Sequence, residues 1–400
     1  KFWSNHRRIL MKIGLVGKPN AGKSTFFTAA TSATAQIGDY PFTTIDKNVG
    51  IAYVRKPCPS KELGLDPNPN NSLSVDGIRF IPIEVIDVAG LVPGAHEGKG
   101  MGNKFLDDLR QADVLIQIVD CSGTTDLEGN TVEGADPLDE IKFLEDELHH
   151  WIGEIVVRNW SRSARAVESG EKIENFLSER LAGLKFTREQ VILALRKAKI
   201  SKPVMHWGSE EGLTLAGYLQ KIGKPIVIAA NKADISSKDN IEKLNKASAI
   251  ITAADYELAL KNATKAGLIT YNSGDSDFRL NDEGQLNDGQ KKALGTIRQF
   301  LKKHGSTGVQ DCIETAVLEK LDLIAVYPVE DETHFTDSQG RVLPDAYLVP
   351  RESTAHDLAY KVHTDIGDSF IRAIDCRSKR IIGKDYELQD GDIIKIVAGS

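Results

Sequence analysis

Eight consecutive residues, Gly17 to Ser24 (GKPNAGKS), place two glycines, a lysine and a terminal hydroxyl in the spacing of a phosphate cradle. Gly17 and Gly22 let the backbone turn so that the N–H groups of Lys18, Asn20 and Ala21 and on to Thr25 face an anion, with Pro19, which has no N–H, shaping the loop between them. Lys23 offers a point charge to the β- and γ-phosphates, and the Ser24 hydroxyl is the expected Mg2+ ligand. A second group follows the run IRFIPIEVID, where DVAG puts Asp87 in position to hold magnesium through water and the Gly90 amide in position to sense a γ-phosphate. The same four-residue spacing recurs at Asp126–Gly129 and Asp337–Gly340, but neither follows a comparable buried strand, so context selects Asp87. A third group, NKAD, supplies Asn231, Lys232 and Asp234. Guanine presents two adjacent donors, N1–H and the 2-amino group, to one carboxylate, whereas adenine turns a lone pair toward it. A site built on such bonds rejects the wrong base by about 10^4-fold, so Asp234 points to GTP and GDP rather than ATP.

Two further groups complete the expected pocket. In ASAIITAAD, Thr252 and Ala253 follow a short strand where a backbone amide can donate to guanine O6. In DYPFTTID, Thr44, chosen over Thr43, is the hydroxyl expected to complete the magnesium shell when γ-phosphate is present. Where many nucleotide hydrolases place a water-orienting glutamine after the DxxG glycine, this chain has Leu91, which cannot hydrogen-bond. His96, in GAHEGKG, is the nearby side chain with proton chemistry, and the glycines at 94, 98, 100 and 102 loosen that segment. Slow turnover without a partner is the expectation.

Positioning these groups requires buried strands that end at them. KIGLVG before the loop, IRFIPIEVID before DVAG and PIVIAA before NKAD are such runs, and STFFTAAT continues the loop as a helix. The pattern predicts an α/β P-loop NTPase fold with a doubly wound, mainly parallel sheet, whose ligands bind at the carboxyl ends of the strands. About a hundred residues separate VLIQIVD from PIVIAAN, far more than one crossover needs, which implies an inserted helical subdomain. There Ile173, Phe176, Leu177, Leu181 and Leu184 recur at helical spacing, and Thr187 with Gln190 reads as a capping box opening a second helix. Toward the C-terminus, LIAVYPV and DIIKIV flank a helix signalled by Thr354 and Asp357, the pattern of a compact α+β unit.

The ordered set GKPNAGKS, YPFTTID, DVAGLVPGAHEGKGMGNKFL, NKAD and ITAADYE resembles the Obg-like translation-factor GTPases, especially the branch related to YchF, over nearly the whole chain. Residues 322–400 resemble a TGS domain, a small β-grasp module. The resemblance implies a GTPase switch acting on ribosomes or structured RNA, with a YchF-type ATPase or a non-catalytic nucleotide-gated scaffold as alternatives. YchF members depart from NKxD, and this chain keeps Asp234. Asn20 resembles the asparagine of potassium-dependent GTPases, which makes K+ a candidate further ion.

The expected organisation is an extension (1–10), a G domain (11–150 and 222–321), the helical insert (151–221) and the TGS domain (322–400). With 41% hydrophobic and 27% charged residues and no apolar run near the roughly 18 residues of a membrane span, no membrane association is expected. Cys58, Cys121, Cys312 and Cys376 lie too far apart to suggest a disulfide framework, which fits the cytoplasm. A net charge of −7 argues against indiscriminate polyanion coating, although charge alone does not choose a partner, and no DNA partner is expected. Local basic sets remain, Arg158, Arg162 and Arg165 around Trp160 and Arg372, Arg377, Lys379, Arg380 and Lys384 near the C-terminus, as candidate RNA contacts on a chain expected to be monomeric. The segment from Pro57 to Val75, rich in proline and asparagine, is expected to be irregular.

Overall fold

A computed structural model describes residues 10–32, 48–88, 90 and 108–399. Thr43, Thr44, Leu91, His96 and the glycines from 94 to 102 lie outside the described residues. In chain order the elements are β1 (Lys12–Val16), α1 (Lys23–Thr31), β2 (Val49–Pro57), α2 (Pro59–Leu63), β3 (Leu73–Val75), β4 (Ile78–Asp87) and β5 (Val114–Asp120). Helices α3 (Pro137–Val157), α4 (Trp160–Glu168), α5 (Ile173–Leu181), α6 (Arg188–Ala198) and α7 (Ser209–Gly223) follow. Then come β6 (Ile226–Asn231), α8 (Lys238–Lys246), β7 (Ile250–Ile251), α9 (Ala254–Lys265), β8 (Ile269–Thr270), β9 (Arg279–Leu280), α10 (Asp288–His304) and α11 (Val309–Glu314). The chain ends with β10 (Leu323–Val329), β11 (Tyr347–Pro350), α12 (Ala355–Val362), α13 (Thr364–Asp368), β12 (Phe370–Asp375), β13 (Arg380–Ile382) and β14 (Ile393–Ala398). Among the described residues no helix is long and apolar enough to cross a membrane.

The chain folds as two compact units, a larger one from Met11–Gly50 and Glu84–Ala316 and a smaller one that joins Ile51–Ile83 to Val317–Ser400. In the larger unit, β4, β1, β5, β6 and β7 run parallel in that order. Every residue of β5 is buried, as is expected where helices cover both faces of a parallel sheet, and its one polar residue before the terminal Asp120, Gln117, donates to Glu140 O at 2.7 Å. The pairing Leu15↔Asp87 ends β4 beside β1, the pairing Asp120↔Asn231 ends β5 beside β6, and Val16↔Gln117 places the end of β5 three residues beyond that of β1.

The helical layer starts at Asp136, whose carboxylate accepts the Leu138 amide at 3.1 Å with Pro137 opening α3. The boundary expected at residue 150 falls inside this helix, because the apolar face of α3 runs on from Leu144 and Leu148 through Trp151, Ile152 and Val156. Where α3 meets α7, a Cβ at Gly153 would lie 3.1 Å from the backbone of Gly212, so two glycines set the approach of the helices. The Thr187–Gln190 capping box is present at the start of α6. Trp160 is 6% exposed, stacks on Trp207 at 5.2 Å and donates Nε1–H to Val204 O at 2.7 Å. Its ring therefore belongs to the core rather than to a basic surface, contrary to its expected place in an RNA-facing cluster.

In the smaller unit a sheet of order β11–β10–β14–β12–β13 carries α12, opened by the Thr354–Asp357 capping box. Ile324 and Val326 of β10 pack with Ala355 and Leu358, while Ala325, Tyr327 and Val329 pack on Cys58 and Ile81. Segment 57–75 differs from the expected irregular loop. It contributes α2 and β3, and its Asn71 side chain donates to Ala346 O at 2.9 Å and accepts the Ala346 amide at 2.8 Å. Its backbone amides also find distant partners, Asn68 donating to Val342 O at 2.9 Å and Asn70 to Pro344 O at 2.6 Å.

Candidate nucleotide site

The turn after β1 has no room for side chains at its glycines. A Cβ at Gly17 would lie 2.6 Å from Ile118 O, and Gly22, at φ +91°, would place one 2.3 Å from Asn231 Nδ2. The first bond of α1 runs from the Phe26 amide to Gly22 O at 2.9 Å. The amides of Lys23, Ser24 and Thr25 are thus the first-turn donors that lack a helical acceptor, at the positive end of the helix dipole. Ser24 is exposed, and the Lys23 ammonium pairs with the Asp87 carboxylate. A Cβ on Gly90 would lie 3.9 Å from Gly17 O, so Lys23, Asp87 and Gly90 gather at one group of strand ends.

Magnesium fits the chemistry of this donor set. A serine hydroxyl and a carboxylate are hard oxygen donors, and magnesium usually takes only one or two protein ligands and completes its shell with phosphate oxygens and water. Among the described residues no group of three or more His, Cys, Asp or Glu forms a protein cage that would favour another metal.

Asn231 ends β6 and ties the opposite wall together. Its Nδ2 donates to Ala21 O at 3.0 Å and its Oδ1 accepts the Ala254 amide at 3.1 Å. Lys232 donates to Asn20 O at 2.7 Å and to Asp120 Oδ2 at 2.9 Å. Asp234 sits in the 3-10 turn Ala233–Ile235, partly buried, and burial, with Asp255 adding to it, raises its pKa above the ordinary carboxylate value.

The expected guanine O6 donors behave differently. The Thr252 amide donates to Ala230 O at 2.9 Å and the Ala253 amide to Thr307 O at 2.9 Å, so both are engaged in holding the turn. The sequence spacing placed these residues at the base-side turn, but only the tertiary hydrogen bonds show which amides the fold itself uses.

A buried polar network joins the two walls. Lys18, 4% exposed, reaches Glu140 Oε1 at 2.7 Å and Thr125 O at 2.5 Å. Glu140 Oε2 accepts the Asp120 amide at 3.1 Å. Burial pushes Glu140 up to about 7, against the pull of Lys18. Burial also works against ionisation of Asp120, yet hydrogen bonds from Ser122, Lys232 and Thr125 hold it below the ordinary carboxylate value. Sequence reasoning did not single out Asp120, Thr125 or Glu140, although an acid at the carboxyl end of a mostly apolar strand was a usable signal for Asp120. The Asp126–Gly129 repeat of the DxxG spacing forms a turn over the loop, where Asn20 Nδ2 donates to Gly129 O at 3.0 Å. The Asp337–Gly340 repeat is a separate turn of the smaller unit, closed from the Gly340 amide to Asp337 O at 3.0 Å.

Family models agree with this layout. One described as a 50S ribosome-binding GTPase matches residues 12–157, one described as the G4 motif-containing domain of Obg-like GTPase YGR210-like proteins matches 229–331, and a TGS domain matches 334–398. A GTP-binding protein of Methanocaldococcus jannaschii, described as uncharacterized, is 53% identical over 393 residues, covering 97% of this chain and 99% of its own length. The ribosome-binding ATPase YchF of Bacillus subtilis is 28% identical over 404 residues, covering 95% and 97%. Among solved structures, a GTP binding protein from Pyrococcus horikoshii superposes with a TM-score of 0.78 at 39% identity, over 97% of this chain and all of that one.

Proposed function

This chain belongs to the Obg-like GTPase family, and from that membership we propose that it binds GTP with magnesium, hydrolyses it slowly to GDP and phosphate, and uses its nucleotide state to control attachment to the ribosome. The observation that carries the choice of base is Asp234, a partly buried carboxylate in a turn whose neighbours Asn231 and Lys232 are bonded to the phosphate loop. A carboxylate there matches the paired donors of guanine and opposes adenine. With the Thr252 and Ala253 amides engaged, the first-turn amide of α9 at Asp255, which has no acceptor within its own helix, is the donor suited to O6.

On the phosphate side, Lys23 and the first-turn amides of α1 would hold the β- and γ-phosphates, while Ser24, Asp87 and Thr44 would hold magnesium, which supplies charge neutralisation at the phosphates when bound. Gly90 is the γ-phosphate sensor in this reading and His96 the candidate proton-handling side chain. Asn20 is the candidate ligand for a monovalent cation. Equal hydrolysis rates in potassium and sodium would remove that role.

Relatives of the YchF group carry the name ribosome-binding ATPase, which makes ATP the competing ligand. Calorimetry decides between the bases. GTP is expected to bind about 10^4-fold more tightly than ATP, and tighter ATP binding would overturn the reading. For the ribosome, Arg372, Arg377, Lys379, Arg380 and Lys384 are all exposed, as is Ile381 at 68%, but Arg377 pairs with Glu62 and Lys379 donates to Glu332 O. Arg372, Arg380 and Lys384 are therefore the better candidates for phosphate contacts. Co-sedimentation with ribosomes should depend on whether GTP, GDP or a non-hydrolysable analogue is present, and equal pelleting in all three would count against a switch.

A further inference from the structure

Glu257 lies one turn into α9 and is fully buried, although a carboxylate is among the groups most costly to bury. Its Oε2 accepts two hydroxyls, Tyr271 Oη at 2.7 Å and Thr307 Oγ1 at 2.6 Å. The carbonyl of the same Thr307 accepts the Ala253 amide at 2.9 Å, so the carboxylate holds the residue that holds the base-side turn. Gly308, next in the chain at φ +81°, would place a Cβ 2.1 Å from Ile251 O, so this loop presses on the residue before Thr252 with no space for any side chain. In the other direction along α9, Lys261 approaches Glu257 Oε1 at 3.9 Å and donates to Ser32 O at 3.1 Å. Ser32 caps the C-terminal end of α1, the helix whose first turn carries Lys23 and Ser24.

From this arrangement we propose that Glu257 is a positioning residue for nucleotide recognition, bracing the base-side turn through Thr307 and the phosphate-binding helix through Lys261 as one body. The inference rests on the guanine-nucleotide reading above. Both arms of the brace end on nucleotide-handling elements; Glu257 closes the ITAADYE set without a role assigned to it by the motif, and Thr307 and Lys261 lie outside the pocket motifs. Cutting one arm should therefore alter recognition of the base, and cutting the other should alter the hold on the phosphates.

The test uses the full-length chain and fluorescent GDP and IDP, which differ by the guanine 2-amino group. Thr307→Val removes the hydroxyl but keeps the shape. It is expected to weaken GDP binding about tenfold and to shrink the preference for GDP over IDP about threefold, with Thr307→Ser restoring both. Tyr271→Phe, which removes the other hydroxyl, should shift the preference in the same direction and serves if Thr307→Val does not fold. Lys261→Met is expected to weaken GDP and IDP alike by about fivefold while leaving their ratio within about twofold of the parent. Melting temperatures separate a general loss of stability from a change in recognition. A lower melting temperature with an unchanged GDP-to-IDP ratio in Thr307→Val and Tyr271→Phe overturns the proposal, as does a Lys261→Met protein with unaltered affinities. Failure of the parent protein to bind GDP overturns the guanine reading itself, which is a separate result.

Discussion

Gly22 shows how much of this pocket depends on an absent side chain. Its φ of +91° suits glycine, and any Cβ would meet the Asn231 amide at 2.3 Å, so a substitution disturbs the phosphate loop and the base-side wall together. Gly22→Ala is expected to weaken guanine nucleotide binding by at least about tenfold, measured by titration with fluorescent GDP. Asp234 carries a second prediction. Its carboxylate must be ionised to accept two donors, and burial raises its pKa. Affinity for GDP should therefore be flat at high pH and fall about tenfold per pH unit below that pKa, with the fall beginning above the ordinary aspartate value of about 3.9. Asp234→Asn should bind weakly and lose this pH dependence. A parent profile flat down to that ordinary value would contradict the shifted titration.

Strands and helices bring residues together that their sequence positions leave far apart. The register Asp120↔Asn231 sets the last residues of β5 and β6 side by side, and this is why Lys232 can reach Asp120 and the Asn20 carbonyl at once. Lys18, read from the motif only as a member of the phosphate loop, turns its side chain inward to Glu140 of α3 and so anchors the loop to a helix more than a hundred residues away. In the helical layer, Trp160 stacks on Trp207 and T-stacks on Phe176 at 6.0 Å. Trp160→Ala is expected to cost about 3–5 kcal/mol of stability, read from the denaturant midpoint of unfolding. If the tryptophan instead served an exposed RNA surface, the midpoint would barely move.

The division into two units explains why the segment between β2 and β4 escaped a sequence reading. It belongs to a core completed by residues from the other end of the chain, with Cys58 and Ile81 packed against Ala325, Tyr327 and Val329. Arg79, buried in the same unit, donates to Leu343 O and lies 5.4 Å from the centre of the Tyr327 ring. A chain truncated after residue 316 loses those partners, so limited proteolysis should cut within residues 57–77 far faster than in the full-length protein. Equal resistance in both would show that the segment folds without the C-terminal residues.

The amino-acid sequence alone determined the phosphate loop, Asp87, NKAD and the alternation of strands and helices around them. Those signals are local, because a tight glycine turn, a lysine at fixed spacing and an apolar strand are each written in a few adjacent residues. The capping boxes at Thr187 and Thr354 were legible for the same reason. Tertiary structure alone decided which amides near Thr252 are already engaged, that Lys18 is buried, that Trp160 is core, and that residues 51–83 join the C-terminal unit. Each depends on a partner distant in the chain, and hydrogen bonding and burial are settled by the neighbours that folding supplies rather than by the residue's own chemistry.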